Sequence, residues 1–186
     1  MAPKVIVLHA DDKPEWLDSV ANQLKTLRVR GRPREVMVLS RVSVAEAQDL
    51  LDGADKTMQS LAADGHRLAA VILDLMMGGG KMQEVERWLT GLRHLKASSS
   101  GAGLPTAALE EFDAMCPCAQ VGRKARKRGF VVVILTNVSK FLPAKELSLA
   151  VERTLIMGAC GASQYVVKTD TDWPKQLSTA LGQAIS

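Results

Sequence analysis

The chain has 186 residues, 47% of them hydrophobic and only 4% aromatic, with a formal net charge of +4. That is enough for one well-formed core with some decoration rather than two complete domains. No run approaches the length of a membrane span, and the scarcity of aromatics leaves few stacking platforms for single-stranded nucleic acid, which weakens that reading.

The first residues, Met1 to Lys4, lead straight into an apolar run, Val5 to Leu8. No targeting leader is therefore expected, the expected compartment is cytoplasmic, and Cys116, Cys118 and Cys160 are expected as reduced thiols. After Pro14, well placed at a helix start, Leu17, Val20, Leu24 and Leu27 fall on one helical face. A second strand follows at Val36 to Leu39. Ala47, Leu50, Leu51, Met58 and Leu61 predict a second helix, broken near Gly53. Ala69 to Leu73 form the third strand, and Trp88, Leu89, Leu92 and Leu95 the third helix. Phe130 to Leu135 is the fourth strand, Leu147, Val151 and Leu155 the fourth helix, and Tyr165 to Val167 the fifth strand. A last helix runs from about Trp173 to Ile185, with Asp172 as N-cap and Pro174 in its first turn. The strand runs are continuous rather than alternating, the mark of strands buried on both faces of a parallel sheet. Five β-α units fill the chain, so no separate output domain is expected.

One interval is too long. Asp74 and Thr136 are 62 positions apart, whereas a β-α-β unit needs roughly 30 residues. The surplus, Ala97 to Arg128, reads as an insertion between the third helix and the fourth strand. It opens on Ser98-Ser99-Ser100-Gly101, has a short helix near Ala107 to Met115 presenting Leu109 and Phe112, and returns through Arg123, Lys124, Arg126, Lys127 and Arg128. It is either a docking segment or a passive surface loop. This basic run, and the earlier Arg28, Arg30, Arg32 and Arg34, read as solvated loops, with binding to an anionic surface as the alternative.

Four spots follow apolar runs directly: Asp11-Asp12, Asp74, Thr136 and Lys168. Ligands in open α/β sheets bind beyond the carboxyl ends of the strands, so these residues converge if the runs are parallel neighbours. A carboxylate that attacks a phosphoryl group needs its own charge and that of the phosphate offset first. Carboxylates holding a divalent cation do this, together with a lysine that bridges to phosphoryl oxygens. Asp11 and Asp12 suit a hard cation, Lys168 supplies fixed positive charge, and Thr136 a hydroxyl donor. Taken singly, each has a plain explanation: an Asp pair before Pro14 caps a helix, and Asp74, Thr136 and Lys168 end strands.

Asp11-Asp12-Lys13-Pro14, Asp74-Leu75-Met76-Met77 and Gly161 to Lys168 resemble, in order and strand position, the signature segments of receiver domains of two-component response regulators. The resemblance covers the chain apart from the insertion. It implies an α/β, flavodoxin-like, doubly wound five-stranded parallel sheet of order 2-1-3-4-5 with helices on both faces. It implies phosphorylation of Asp74 by a histidine kinase or phosphotransfer protein, with Mg²⁺ held by Asp11, Asp12, Asp74 and the main-chain carbonyl of Met76. Tyr165 would be the switch aromatic that moves inward when Thr136 engages the phosphoryl group; as a bare residue it is equally a packed strand aromatic. Such a protein is a signalling phosphoacceptor rather than an enzyme, its only chemistry being self-phosphorylation and self-dephosphorylation. Its output goes to a downstream protein, with no membrane partner, nucleic acid disfavoured and a homodimer left open.

Three positions depart from the family pattern. Gly78 stands where proline is usual, loosening the loop after Asp74. Asn137 replaces a small residue and is expected to screen the site, and Thr169 replaces the proline that follows the lysine, removing a constraint on its aim. Cys116-Pro117-Cys118 has too few partners for a structural metal, Gly78-Gly79-Gly80-Lys81 lacks phosphate-loop spacing, and His9 reads as a packed strand residue. Two other functions compete: a receiver-like interaction module that works without phosphorylation, and a nucleic-acid-associated protein using the basic clusters.

Overall fold

A computed structural model of the chain describes residues 4–29, 32–33, 35–92, 104–142 and 147–185. In chain order the elements are β1 (Val5–Ala10), α1 (Pro14–Leu24), the short strands β2 (Arg28–Val29) and β3 (Arg32–Pro33), β4 (Val36–Arg41), α2 (Val44–Asp52), α3 (Lys56–Ala63), β5 (Arg67–Leu73), α4 (Met82–Leu92), α5 (Thr106–Met115), α6 (Cys118–Lys127), β6 (Val131–Thr136), α7 (Leu149–Cys160), β7 (Gln164–Val167) and α8 (Trp173–Ile185). No helix among the described residues is long and apolar enough to cross a membrane.

The runs rich in Val, Ile and Leu form one five-stranded sheet in the order β4-β1-β5-β6-β7, every pairing parallel. Counted along the main sheet this is 2-1-3-4-5, the flavodoxin-like doubly wound fold. Its strand order reverses between β1 and β5, and there the fold leaves a crevice beyond the carboxyl ends. β2 and β3 form a separate antiparallel ribbon; the side chains of Arg28, Arg30, Arg32 and Arg34 lie outside the described residues.

Alternate strand residues face opposite layers. Val7, Ala70, Ile72, Val133, Leu135 and Val166 pack against Val20 and Leu24 of α1 and Leu177, Ala180 and Leu181 of α8. Ile6, Leu8, Val71, Leu73, Val132, Ile134 and Val167 pack against the other helices. The break expected near Gly53 is present: that residue ends α2 in the left-handed conformation at φ 77°, and the Asp55 carboxylate caps α3.

The expectation of a surface insertion across 97–128 needs correction at its carboxyl end. α6 is the crossover helix of the third unit and packs on β5, β6, α2 and α7. Cys118, Ala119, Val121, Gly122 and Ala125 are buried. A Cβ on Gly122 would lie 2.2 Å from the Cys160 carbonyl oxygen, so glycine is what lets α6 approach the end of α7. Excising 97–128 would thus remove a core helix. The surplus is instead the α4–α5 pair, joined by stacking of Trp88 on Phe112 at 4.5 Å and by Trp88 Nε1 donating to the Ala108 carbonyl at 2.9 Å. Nor is the basic run a solvated loop. Arg123 pairs with Asp113, and Lys124 and Arg128 with Asp52, which ties α6 to α5 and α2 and offsets two of the five positive charges of the run.

Candidate functional site

Asp11 follows β1 and Asp74 follows β5, so the two flank the crevice where the strand order reverses. The Asp74 N–H donates to the Ala10 carbonyl at 2.9 Å, joining the two strand ends. The Asp11 N–H reaches Arg41 O at 3.1 Å, and its Oδ1 accepts the Lys13 N–H at 3.0 Å, a local turn that fixes the carboxylate. Lys168 follows β7, and its N–H donates to the Thr136 carbonyl at 2.8 Å. The fold carries this lysine two strands over from β5 and returns its side chain to the crevice. Its Nζ lies 2.6 Å from Asp11 Oδ2 and 3.1 Å from Asp74 Oδ1. All three groups are nearly closed to solvent, at 4% exposure for Lys168, 0% for Asp11 and 7% for Asp74.

Asp12 is exposed, and it offers an oxygen that lies with one each from Asp11 and Asp74 inside a 4.8 Å cluster. Three hard oxygen donors that close could hold a divalent cation. The Met76 carbonyl accepts the Gly80 N–H at 3.0 Å within the turn after Asp74, using one of its two lone pairs. In that turn Gly78 has φ 78°. Proline, locked near −65°, could not stand there, so the glycine expected to loosen the loop is what its backbone demands.

The two buried carboxylates respond oppositely to their surroundings. Burial pushes the Asp11 carboxyl up, but the neighbouring His9 ring, Lys168 at 2.6 Å and the Lys13 N–H together outweigh it and hold the group below the usual carboxylate range. Asp74 goes the other way: burial raises it, Lys168 offsets only part, and the Asp11 charge adds to the rise. His9 sits beneath them, fully buried, with Nε2 3.7 Å from Asp11 Oδ2, too far for a hydrogen bond. Neither ring nitrogen has a partner among the described residues. Burial lowers its pKa, so the ring stays neutral.

Thr136 ends β6, fully buried, and its Oγ1 accepts the Val138 N–H at 3.3 Å. Tyr165 on β7 faces inward and donates its hydroxyl to the Val138 carbonyl at 2.7 Å, while the Arg153 guanidinium lies 5.1 Å from its ring centroid. Thr136 and Tyr165 thus share one residue of the β6–α7 loop. Buried Glu152 holds the same loop by accepting the N–H groups of Phe141 at 2.7 Å and Leu142 at 3.1 Å. Asn137 and Thr169 are exposed, and Lys168 is aimed at both carboxylates with threonine after it.

Sequence reasoning missed the roles of Glu152 and Trp16. Glu152 falls on the same helical stripe as Leu155, Ile156 and Ala159, and a lone acid on an apolar stripe was its available signal. Trp16 stands in the first turn after the acidic pair, where its indole ring covers the Lys168 ammonium at 5.1 Å. The thiols are packing groups. Burial pushes Cys116 up to about 12 and Cys118 and Cys160 well above the ordinary thiol range, so they remain protonated and unreactive. Cys118 Sγ donates to the Leu75 carbonyl at 3.2 Å, bracing the loop after Asp74 from below.

No protein-family model matches the chain, and no curated protein matches it.

Proposed function

We propose that the chain is a cytoplasmic receiver of the response-regulator kind. It accepts a phosphoryl group on Asp74 from a histidine kinase or phosphotransfer protein and passes the signal on by changing a protein-binding surface. The observation that carries this reading is the single buried ammonium shared by Asp11 and Asp74, with Asp12 beside them. A buried Asp–Lys pair that served stability alone would gain little over apolar packing and has no need of a third carboxylate crowding it.

Asp11, Asp12, Asp74 and the Met76 carbonyl would hold Mg²⁺, which when bound offsets the charge between the incoming phosphoryl group and the carboxylates. An Asp74 oxygen attacks phosphorus. The O–P bond of an acyl phosphate forms as the P–N bond to the donor imidazole breaks, and the nitrogen keeps the electron pair. Lys168 then exchanges a carboxylate contact for a phosphoryl oxygen. Thr136 Oγ1 already accepts from Val138, which leaves its hydrogen to donate to another phosphoryl oxygen. That donation pulls on Val138, whose carbonyl holds Tyr165, and so couples the site to the surface of α7 and β7.

Incubation with acetyl phosphate and MgCl₂ should add one phosphoryl mass to the intact chain, and Asp74→Asn should abolish the gain. A wild-type chain that gains no mass from any donor and does not respond to beryllofluoride would instead be a phosphorylation-independent interaction module.

A further inference from the structure

Lys168 has three N–H donors on its ammonium. Two are met by Asp11 Oδ2 at 2.6 Å and Asp74 Oδ1 at 3.1 Å. The remaining wall is the Trp16 indole, its centroid 5.1 Å from Nζ, within the roughly 6 Å range of a cation–π contact. Trp16 is itself held. It meets the Trp173 ring edge-on at 5.7 Å and an interplanar angle of 76°, and its backbone N–H donates to the Lys13 carbonyl at 3.0 Å. Trp173 opens α8 just beyond Lys168, so the aromatic pair spans from the helix after the acidic loop to the helix after the lysine.

We propose that Trp16 is a positioning residue for Lys168: its ring face, steadied by Trp173, holds the ammonium between the two carboxylates. As it bears on phosphoryl transfer, this inference rests on the phosphoacceptor reading above. A π face attracts the charge without fixing a hydrogen-bond direction. The ammonium can therefore pivot from Asp11 toward a phosphoryl oxygen on Asp74 while one side stays compensated. An aliphatic residue would fill the space but leave that side of a buried cation unsatisfied.

Two measurements test it. With 5-fluorotryptophan incorporated, Trp16, Trp88 and Trp173 give separate fluorine resonances, assigned by single Trp→Phe changes. Lys168→Met is expected to move the Trp16 resonance well beyond that of distant Trp88, and equal shifts would overturn the proposal. Beryllofluoride affinity at saturating Mg²⁺, followed by amide chemical shifts, should weaken about tenfold in Trp16→Leu but only about two- to threefold in Trp16→Phe, with Mg²⁺ affinity kept within about twofold in both. Wild-type affinity in Trp16→Leu, or equal losses in the two variants, would show that only bulk matters and overturn it. A Trp16 shift in Lys168→Met with no beryllofluoride response in wild type would refute the phosphoacceptor reading and leave the positioning of Lys168 supported.

Discussion

Lys168→Met removes the charge shared by Asp11 and Asp74 while keeping most of the side chain's length and apolar stem. The ammonium lies 2.6 Å and 3.1 Å from two carboxylates that are 0% and 7% exposed, and removing one partner from such a buried group costs about 3–5 kcal/mol. Asp74, already raised by burial, can take up a proton and relieve part of this, so about 2–4 kcal/mol is expected at pH 7. At roughly 2–4 °C per kcal/mol for a chain of this size, the midpoint in EDTA should fall by about 4–16 °C. The same change frees carboxylate oxygens for a cation. Mg²⁺ at a hundred times its Kd returns about 2.7 kcal/mol, so the variant should recover much of its loss when Mg²⁺ replaces EDTA. Wild type should gain less, because its ammonium competes for the same oxygens. Thermal melts of both proteins, in EDTA and in saturating MgCl₂, give the four midpoints needed. A Mg²⁺ gain in the variant no larger than in wild type would refute the idea that Lys168 and the cation share ligands.

Asp74→Asn should raise the midpoint at pH 7: the folded state raises this carboxyl, so its ionisation costs stability, and the gain should fade as pH falls from the raised value to the ordinary carboxylate range and be gone below it. Asp11→Asn should do the reverse, because that carboxyl is lowered on folding; its contribution is present at neutral pH and lost on acidification, which a pH series of melts would show. Tyr165→Phe strands the buried Val138 carbonyl at a cost of about 1–3 kcal/mol; an unchanged denaturant midpoint would mean that this bond contributes nothing. Gly122→Ala places a Cβ 2.2 Å from the Cys160 carbonyl oxygen and should cost about 3 kcal/mol, whereas Gly182→Ala in α8, with nothing within 4 Å, should be neutral or stabilising by up to about 1 kcal/mol. Equal midpoints for the two alanine variants would argue against α6 as a core helix.

The five strands of the main sheet were legible because each is a local, continuous apolar run; the short β2 and β3, in an arginine-rich stretch, were not. The site residues were legible because each is among the first to follow such a run. α6 was not legible: its inward face is made of Cys118, Ala119, Val121, Gly122 and Ala125, small residues with little hydropathy contrast, and its outward face carries the basic run that resembles a loop. α4 offered the stronger stripe, through Val85, Trp88 and Leu89, and so drew the assignment of third helix away from the element that crosses back onto the sheet.

What the sequence alone determined is the succession of the five main strands and the residue types standing at their ends, since both depend on neighbours a few positions away. Tertiary structure decided which of those ends meet. Lys168 and Asp11 are 157 positions apart, and only the parallel order with β1 and β5 adjacent brings them to 2.6 Å. It also decided the opposite fates of the two buried carboxylates, because their protonation depends on burial and on one shared ammonium. The same holds for the place of Trp16 against that ammonium, a contact between the first helix and the residue after the last strand that no local pattern encodes.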